Sequence, residues 1–511
     1  MNAAVKGIVF TFLSVVIAVL LVACAKPPAQ ITPPLSPSPA ATSTPTATGT
    51  TTPPVSPTRV PSTATMVPSP SPTLTPAAEN TAYHLSAELD YDTYRLRVTQ
   101  KITMTNPSIQ ELTQLSLIVP PNRQQDVFQL QEIAWEEGQT IDQYSLQGIR
   151  LDIPVEDAWF PGESRVLSLT YQITLPVINS LEGVGPSPFG YSSLQVNIVD
   201  WYPFVPPFEA GEGWLIHEPW YYGEYLVYPT ADFEVTLQVN NAPQDLVVAA
   251  SSRDEGSGDK YRYLLEDGRN FVISISPHYR VLKEEVNGTT VLGYTFPFYE
   301  DAGKAAFQAT VDALTLYEDI FHPYGQSTLT VVQADFDHGM EYEGLYYLNR
   351  SFFNIYNDSP ASFLVAIAAH ETAHQWWYGM VGNDQALEPW IDESICTYSE
   401  LLFFEEYHQE AVDWWWDNRV EYYQPHGVID RSIYDTSGYL DYRDSTYLRG
   451  AQFWDDLRDR IGEETLFTFL ERFSSSYAGE IVSGQEVFDL LQEVAGTDLE
   501  EVISPYFDTI P

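Results

Sequence analysis

Basic residues are scarce in this chain. Its 511 residues hold 24 Lys and Arg against 70 Asp and Glu, a formal net charge of −46. A surface so short of positive charge repels phosphate backbones and anionic headgroups, which excludes nucleic acid as a partner. Cysteine is scarcer still, and Cys24 and Cys396 alone cannot make a disulfide framework. Acids are absent from the first 78 residues, so all 70 lie beyond them. What the chain has in quantity is apolar surface. At 44% hydrophobic and 14% aromatic it is far too apolar for an acidic disordered chain. The balance describes a folded, acidic protein of two or three domains.

Lys6 precedes an apolar run, Gly7 to Leu21, of the length of an export signal. The run closes on Leu21-Val22-Ala23-Cys24, which resembles the lipobox of bacterial lipoproteins. The resemblance implies cleavage after residue 23 and acylation of Cys24, with two acyl chains giving stable anchoring. A short transmembrane helix with an incidental cysteine is the other reading of the same run. Residues 27–78 are almost wholly Pro, Ser, Thr and Ala and hold 15 of the 37 prolines. Such a stretch has no face to bury and is expected to form an extended stalk over residues 24–78. The folded part is then expected outside the cytoplasm, tethered to the cell membrane by lipid alone.

From Tyr83 to about Val286 the apolar residues alternate, as in Leu85, Ala87 and Leu89 or Phe233, Val235, Leu237 and Val239. Pro, Gly, Asn and Asp clusters interrupt these runs, the pattern of an antiparallel β-sandwich, expected over 79–288. Beyond Pro297 the period becomes helical. Ala306, Phe307, Val311, Leu314 and Tyr317 share one face of a helix predicted over 302–320, and Leu329–Val332 reads as a short strand. Ser359-Pro360 predicts the start of another helix, running through Trp377. Ser483 and Glu486 form a capping box for a helix that Gly496 closes. The fold class expected is α+β, with a mainly helical domain over 289–511.

The predicted helix from Ser359 carries His370-Glu371-Thr372-Ala373-His374. A spacing of i, i+4 stacks two imidazoles on one face, where they can grip one metal ion. Glu371 lies about 100° around the helix, able to take a proton from metal-activated water. Two hydrogen-bonded core histidines would show the same spacing. After eighteen intervening residues beyond His374 comes Glu393, set between Trp390, Ile391 and Ile395. Two His and one Glu with an open fourth position make a catalytic zinc set, one ion in all.

HExxH, eighteen residues and then Glu in Asp392-Glu393-Ser394 resembles the aminopeptidase N family of zinc peptidases. His338-Gly339-Met340-Glu341-Tyr342 is similar to that family's Gly-Ala-Met-Glu-Asn exopeptidase motif. Tyr447-Leu448-Arg449-Gly450 resembles its Tyr-x-Lys-Gly segment. Trp201-Tyr202-Pro203, Gly223-Glu224-Tyr225 and Pro229 to Phe233 resemble its β-domain. The resemblance spans about residues 80–511 and implies a thermolysin-like catalytic domain acting on peptides with a free N-terminus. It implies zinc on His370, His374 and Glu393, Glu371 as general base and Tyr447 as oxyanion donor. Glu341 would pair with the substrate's α-ammonium, Met340 beside it, while Gly339 lets substrate backbone approach.

Asp392 and Thr397 are candidate partners steadying the histidine ligands. Cys396 reads as a buried free thiol. His322, His408 and His426 have no ligand spacing. Trp414-Trp415-Trp416 with Tyr422 and Tyr423 fits either a cleft lining or helix packing. His338 and Tyr342 depart from the family motif, and Arg449 stands for its Lys. The chain stops about sixty residues past Tyr447. That leaves no room for the long helical repeat of larger relatives, so a more open site is expected.

Overall fold

Alternation sets the inward face of every long strand in the first half. β1 (Thr81–Asp90) turns Tyr83, Leu85, Ala87 and Leu89 to the core and Ser86 and Glu88 to solvent. β2 (Arg95–Thr105) does the same with Leu96, Val98, Ile102 and Met104. The computed structural model describes residues 80–136, 140–178, 187–257, 260–337 and 339–509. The export signal, Cys24, the stalk and His338 lie outside the described residues.

A six-stranded sheet runs β14 (Lys260–Gly268), β12 (Ala231–Asn240), β1, β2, β7 (Ser164–Thr174), β4 (Phe128–Trp135). β1 and β12 are parallel, from Thr81 opposite Ala231 to Asp90 opposite Asn240. The sandwich is therefore not purely antiparallel, because the long connection after β2 can return a strand in either sense. β3 (Leu112–Ile118), β5 (Ser145–Gln147) and β6 (Arg150–Trp159) make a second sheet. A third joins β8 (Gly190–Tyr191), β9 (Val196–Ile198), β13 (Val247–Ala250) and β15 (Ile273–Ser276). A ribbon, β10 (Phe208–Glu209) with β11 (Gly213–Trp214), stands apart. The inward faces share one core around the fully buried Trp159 and Trp201. Gln100, buried in mid-sheet, is satisfied by the Pro203 carbonyl and the Tyr171 hydroxyl.

The second half opens on a mixed sheet, β16 (Arg280–Val286), β17 (Thr289–Thr295), β18 (Thr328–Gln333) and β19 (Leu345–Leu348). The boundary at 288/289 thus falls in the hairpin turn of Asn287 and Gly288, and β16 belongs to the sheet of the helical half. α1 (Glu300–Ile320) buries the face anticipated, from Ala306 to Tyr317.

α2 spans Phe363–Ala373, shorter than predicted at both ends. At the start Ser359 Oγ accepts from the Ala361 amide and the Ser362 amide reaches the Pro360 carbonyl, so a turn precedes the helix. At the end the chain reverses at Tyr378, φ +136°, with the Gly379 amide on the His374 carbonyl. Trp376 and Trp377 are buried on that turn, where they continue the apolar pattern without continuing the helix. α3 (Trp390–Tyr407) follows, then α4 (Arg449–Ile461), α5 (Glu463–Ser476) and α6 (Gly484–Ala495). α6 has its capping box at Ser483 and Glu486 and its left-handed Gly496, as read from the sequence.

Arg269, directly after β14, is buried and fastens the halves together. Its guanidinium donates to the carbonyls of Tyr228, Tyr378, Gly379, Met380 and Glu480.

Candidate active site

One turn of α2 brings His370 and His374 together, their Nε2 atoms 3.2 Å apart. Glu393, in the first turn of α3, places Oε2 3.2 Å from the first and 3.5 Å from the second. His374 Nδ1 lies 3.0 Å from the Trp377 carbonyl, and His370 Nδ1 lies 3.1 Å from Glu400 Oε1. His374 Nδ1 is thus committed to the Trp377 carbonyl while His370 Nδ1 faces the Glu400 carboxylate, which leaves both Nε2 atoms and a Glu393 oxygen close to one another. Zinc bonds of ~2.0–2.1 Å at the tetrahedral angle set ligand atoms roughly 3.3–3.4 Å apart, so this donor set fits zinc.

The electrostatics of the cluster also call for positive charge. Burial alone would push His370 down, but Glu393 and Glu400 hold it up at about 9. Burial would push Glu393 up, yet the two imidazoles hold it down at about 2.

Glu371 is buried on the same helix, and its Oε2 has no hydrogen-bond partner among the described residues. Burial pushes it up to about 8. A Cβ at Gly339 would stand 3.2 Å from Glu371 Oε1 and 3.2 Å from the Tyr347 carbonyl, so glycine keeps this carboxylate free to move. Met340 pairs with Tyr347 through both backbone bonds, 3.2 and 2.9 Å, which pins the loop to β19. Glu341 is thereby directed inward, where Gln385 Nε2 donates to it at 3.3 Å. Burial raises its pKa.

Tyr447 lies in a π-helical turn, Arg443–Leu448, a distortion that often marks functional sites. Its hydroxyl donates to Glu393 Oε1, and its ring stacks on His370 at 5.9 Å.

Asp392 and Thr397 steady neither histidine. Asp392 accepts from Asn383, Gln385 and the Glu393 amide, while Thr397 donates to the Glu393 carbonyl. Asp392 instead holds Gln385 against Glu341. The histidine partner is Glu400, two helical turns beyond Glu393 and clamped by Arg419 at 2.9 and 2.8 Å and by Trp415 Nε1 at 2.8 Å. That i, i+7 spacing was the available signal. Of the aromatic run, Trp415 serves this clamp, Trp414 packs on Phe363 and Phe404, and Tyr423 lines the cavity. Cys396 is a buried free thiol.

Glu224 joins the site from the first half. Acidic oxygens of Glu224, Glu341 and Glu393 lie within 4.8 Å of one another. Burial, then the charge of Glu341, raises the Glu224 pKa well above the ordinary range. Glu224 was noticed only within a stretch resembling a β-domain; no local spacing ties it to residues more than a hundred positions later. Its loop is docked by the Tyr222 hydroxyl on Thr436 at 3.0 Å and by His217 on Asp384 at 2.8 Å. The whole set lines a cavity of about 630 Å³.

Residues 305–506 match the peptidase family M1 domain. Aminopeptidase M1-D of Oryza sativa subsp. japonica is 26% identical over 235 residues, 43% of this chain and 27% of that protein. Endoplasmic reticulum aminopeptidase 1 of Mus musculus is 23% identical over 240 residues, 44% and 26% of the two chains. The chain spans about a quarter of the length of these relatives. The crystal structure of an M1 zinc metallopeptidase from Deinococcus radiodurans shares the fold, with a TM-score of 0.58 and 17% identity. That match covers 85% of this chain and 95% of the other.

Proposed function

We propose that this chain, whose residues 305–506 match the peptidase family M1 domain, is a zinc-dependent aminopeptidase of the aminopeptidase N family that removes N-terminal residues from peptides at the cell surface. One observation carries this reading: the buried carboxylate of Glu341 and the half-buried one of Glu224 crowd within 4.8 Å of Glu393, beside the metal-ligand cluster. Such a pair favours a cation between its carboxylates, and a free α-ammonium supplies one at a fixed distance from the first peptide bond.

His370, His374 and Glu393 would hold the zinc ion, which would supply Lewis acidity toward the scissile carbonyl and lower the pKa of a bound water. Glu371 takes the proton of the attacking water at its unpartnered Oε2 and passes it to the leaving amine. The Tyr447 hydroxyl, held beside the ligands by Glu393, donates to the oxyanion. Glu400 and the Trp377 carbonyl keep the imidazoles oriented throughout. Support for the location is the lipobox-like Leu21 to Cys24, which would place the acyl anchor ahead of the stalk.

Aminoacyl arylamides test the reading with and without a chelator. Glu371→Gln is expected to lower kcat by ~10²–10⁴ with zinc content unchanged by metal analysis. Glu341→Ala is expected to abolish the preference for free over N-acetylated peptides. Activity that survives both chelation and Glu371→Gln sinks the mechanism, and strong wild-type cleavage of acetylated peptides makes the protein an endopeptidase instead.

A further inference from the structure

We propose that Asp200 selects the substrate's N-terminal side chain, and that peptides beginning with arginine or lysine are preferred. The inference rests on the aminopeptidase reading and names the substrate class of the same cavity.

Asp200 lines the cavity that holds Glu341 and the ligand cluster, and it is partly exposed there. Tyr342 connects the two places, since it follows Glu341 in the chain and its hydroxyl donates to Asp200 Oδ2 at 3.4 Å. Tyr228 donates to Oδ1 at 2.8 Å. Asp200 forms no ion pair with any described residue. Arg123 acts on it from a distance, and two of its N–H groups donate to the Trp220 carbonyl at 2.8 Å and the Tyr225 hydroxyl at 3.3 Å. Burial pushes Asp200 up to about 6, which leaves it charged at neutral pH. An anion placed this way lacks a close counter-charge, and a guanidinium or ammonium entering the cavity provides it.

The backbone supports a positioned group. Asp200 sits at φ +47°, two residues after β9, in the left-handed region that Asp and Asn enter more readily than other non-glycine residues. Its neighbour Trp201 is fully buried, with Nε1 on the Phe271 carbonyl at 2.9 Å, and enforces that conformation. Phe189, Tyr225 and Tyr228 line the same cavity and offer apolar surface to the methylene stem of a long basic side chain.

The test compares kcat/KM for arginyl, lysyl, leucyl and norleucyl arylamides in the wild type, Asp200→Asn and Asp200→Ser. The Arg/Leu ratio is expected to exceed about 10 in the wild type and to fall at least about tenfold in both variants, arginyl hydrolysis losing more than leucyl hydrolysis does. A carboxylate that only braced two tyrosines would leave the ratio where it was, and that result overturns the proposal. Wild-type preference for leucine does the same. Calorimetric titration with free L-arginine and L-norleucine separates the two inferences. Tighter arginine binding that depends on Asp200, in a protein that cleaves no arylamide, keeps the pocket and discards the activity. Normal leucyl cleavage with a ratio independent of Asp200 keeps the activity and discards the pocket.

Discussion

At the scale of single residues, the chemistry depends on side chains whose own positions are fixed by a second set. Glu400 shows this most sharply. Its carboxylate stands 3.1 Å from His370 Nδ1 and is itself gripped by Arg419 and Trp415. Glu400→Gln keeps the shape but removes the negative charge that faces His370 Nδ1. Zinc affinity, read by competition with a chelator, is expected to fall ~10–100-fold. Asp392→Asn is expected to spare zinc affinity, because Asp392 touches Gln385 and Asn383 rather than a histidine.

At the scale of elements, the loop from Gly339 to Gly344 has to present Glu341 to the cavity and then enter β19. Gly344 makes the second part possible, at φ +68°, where an added Cβ would stand 2.1 Å from the Ser251 carbonyl oxygen. Neither the backbone angle nor the space admits a side chain. Gly344→Ala is expected to cost ~1–3 kcal/mol in urea unfolding and to lower kcat/KM by displacing Glu341. α2 shows how local signals mislead at element ends. The apolar run through Trp376 and Trp377 reads as continuing helix, yet those rings are buried on a turn that carries the Trp377 carbonyl to His374.

At the scale of the whole molecule, the described residues form one compact unit, and the site straddles its two cores. Glu224 and Asp200 come from the β half, and His370, His374 and Glu393 from the helical half. Arg269 holds that arrangement through five carbonyls, which would lose their donor together. Arg269→Met is expected to cost at least about 3 kcal/mol and to lower Tm cooperatively, with kcat/KM falling in parallel. The net charge of −46 acts on the approach of substrate rather than on the fold. For cationic peptides kcat/KM is expected to fall as salt rises from 0.01 toward ~0.15 M, where screening shortens from ~30 to ~8 Å, while neutral peptides respond little.

The sequence by itself determined the parts whose geometry is local. A helix converts i, i+4 into two imidazoles on one face, so His370, His374 and Glu371 were legible from spacing, and alternation made the strands around Leu85 and Val235 legible too. Glu393, Glu341 and Tyr447 were legible by motif. Period-two patterning carries no direction, so the parallel pairing of β1 with β12 could not be read from it. Glu224 beside Glu341, Glu400 behind His370 and Tyr342 against Asp200 were decided by tertiary structure alone. Each joins groups on different elements, and only the packing of two cores around one cavity sets distances between residues far apart in the chain.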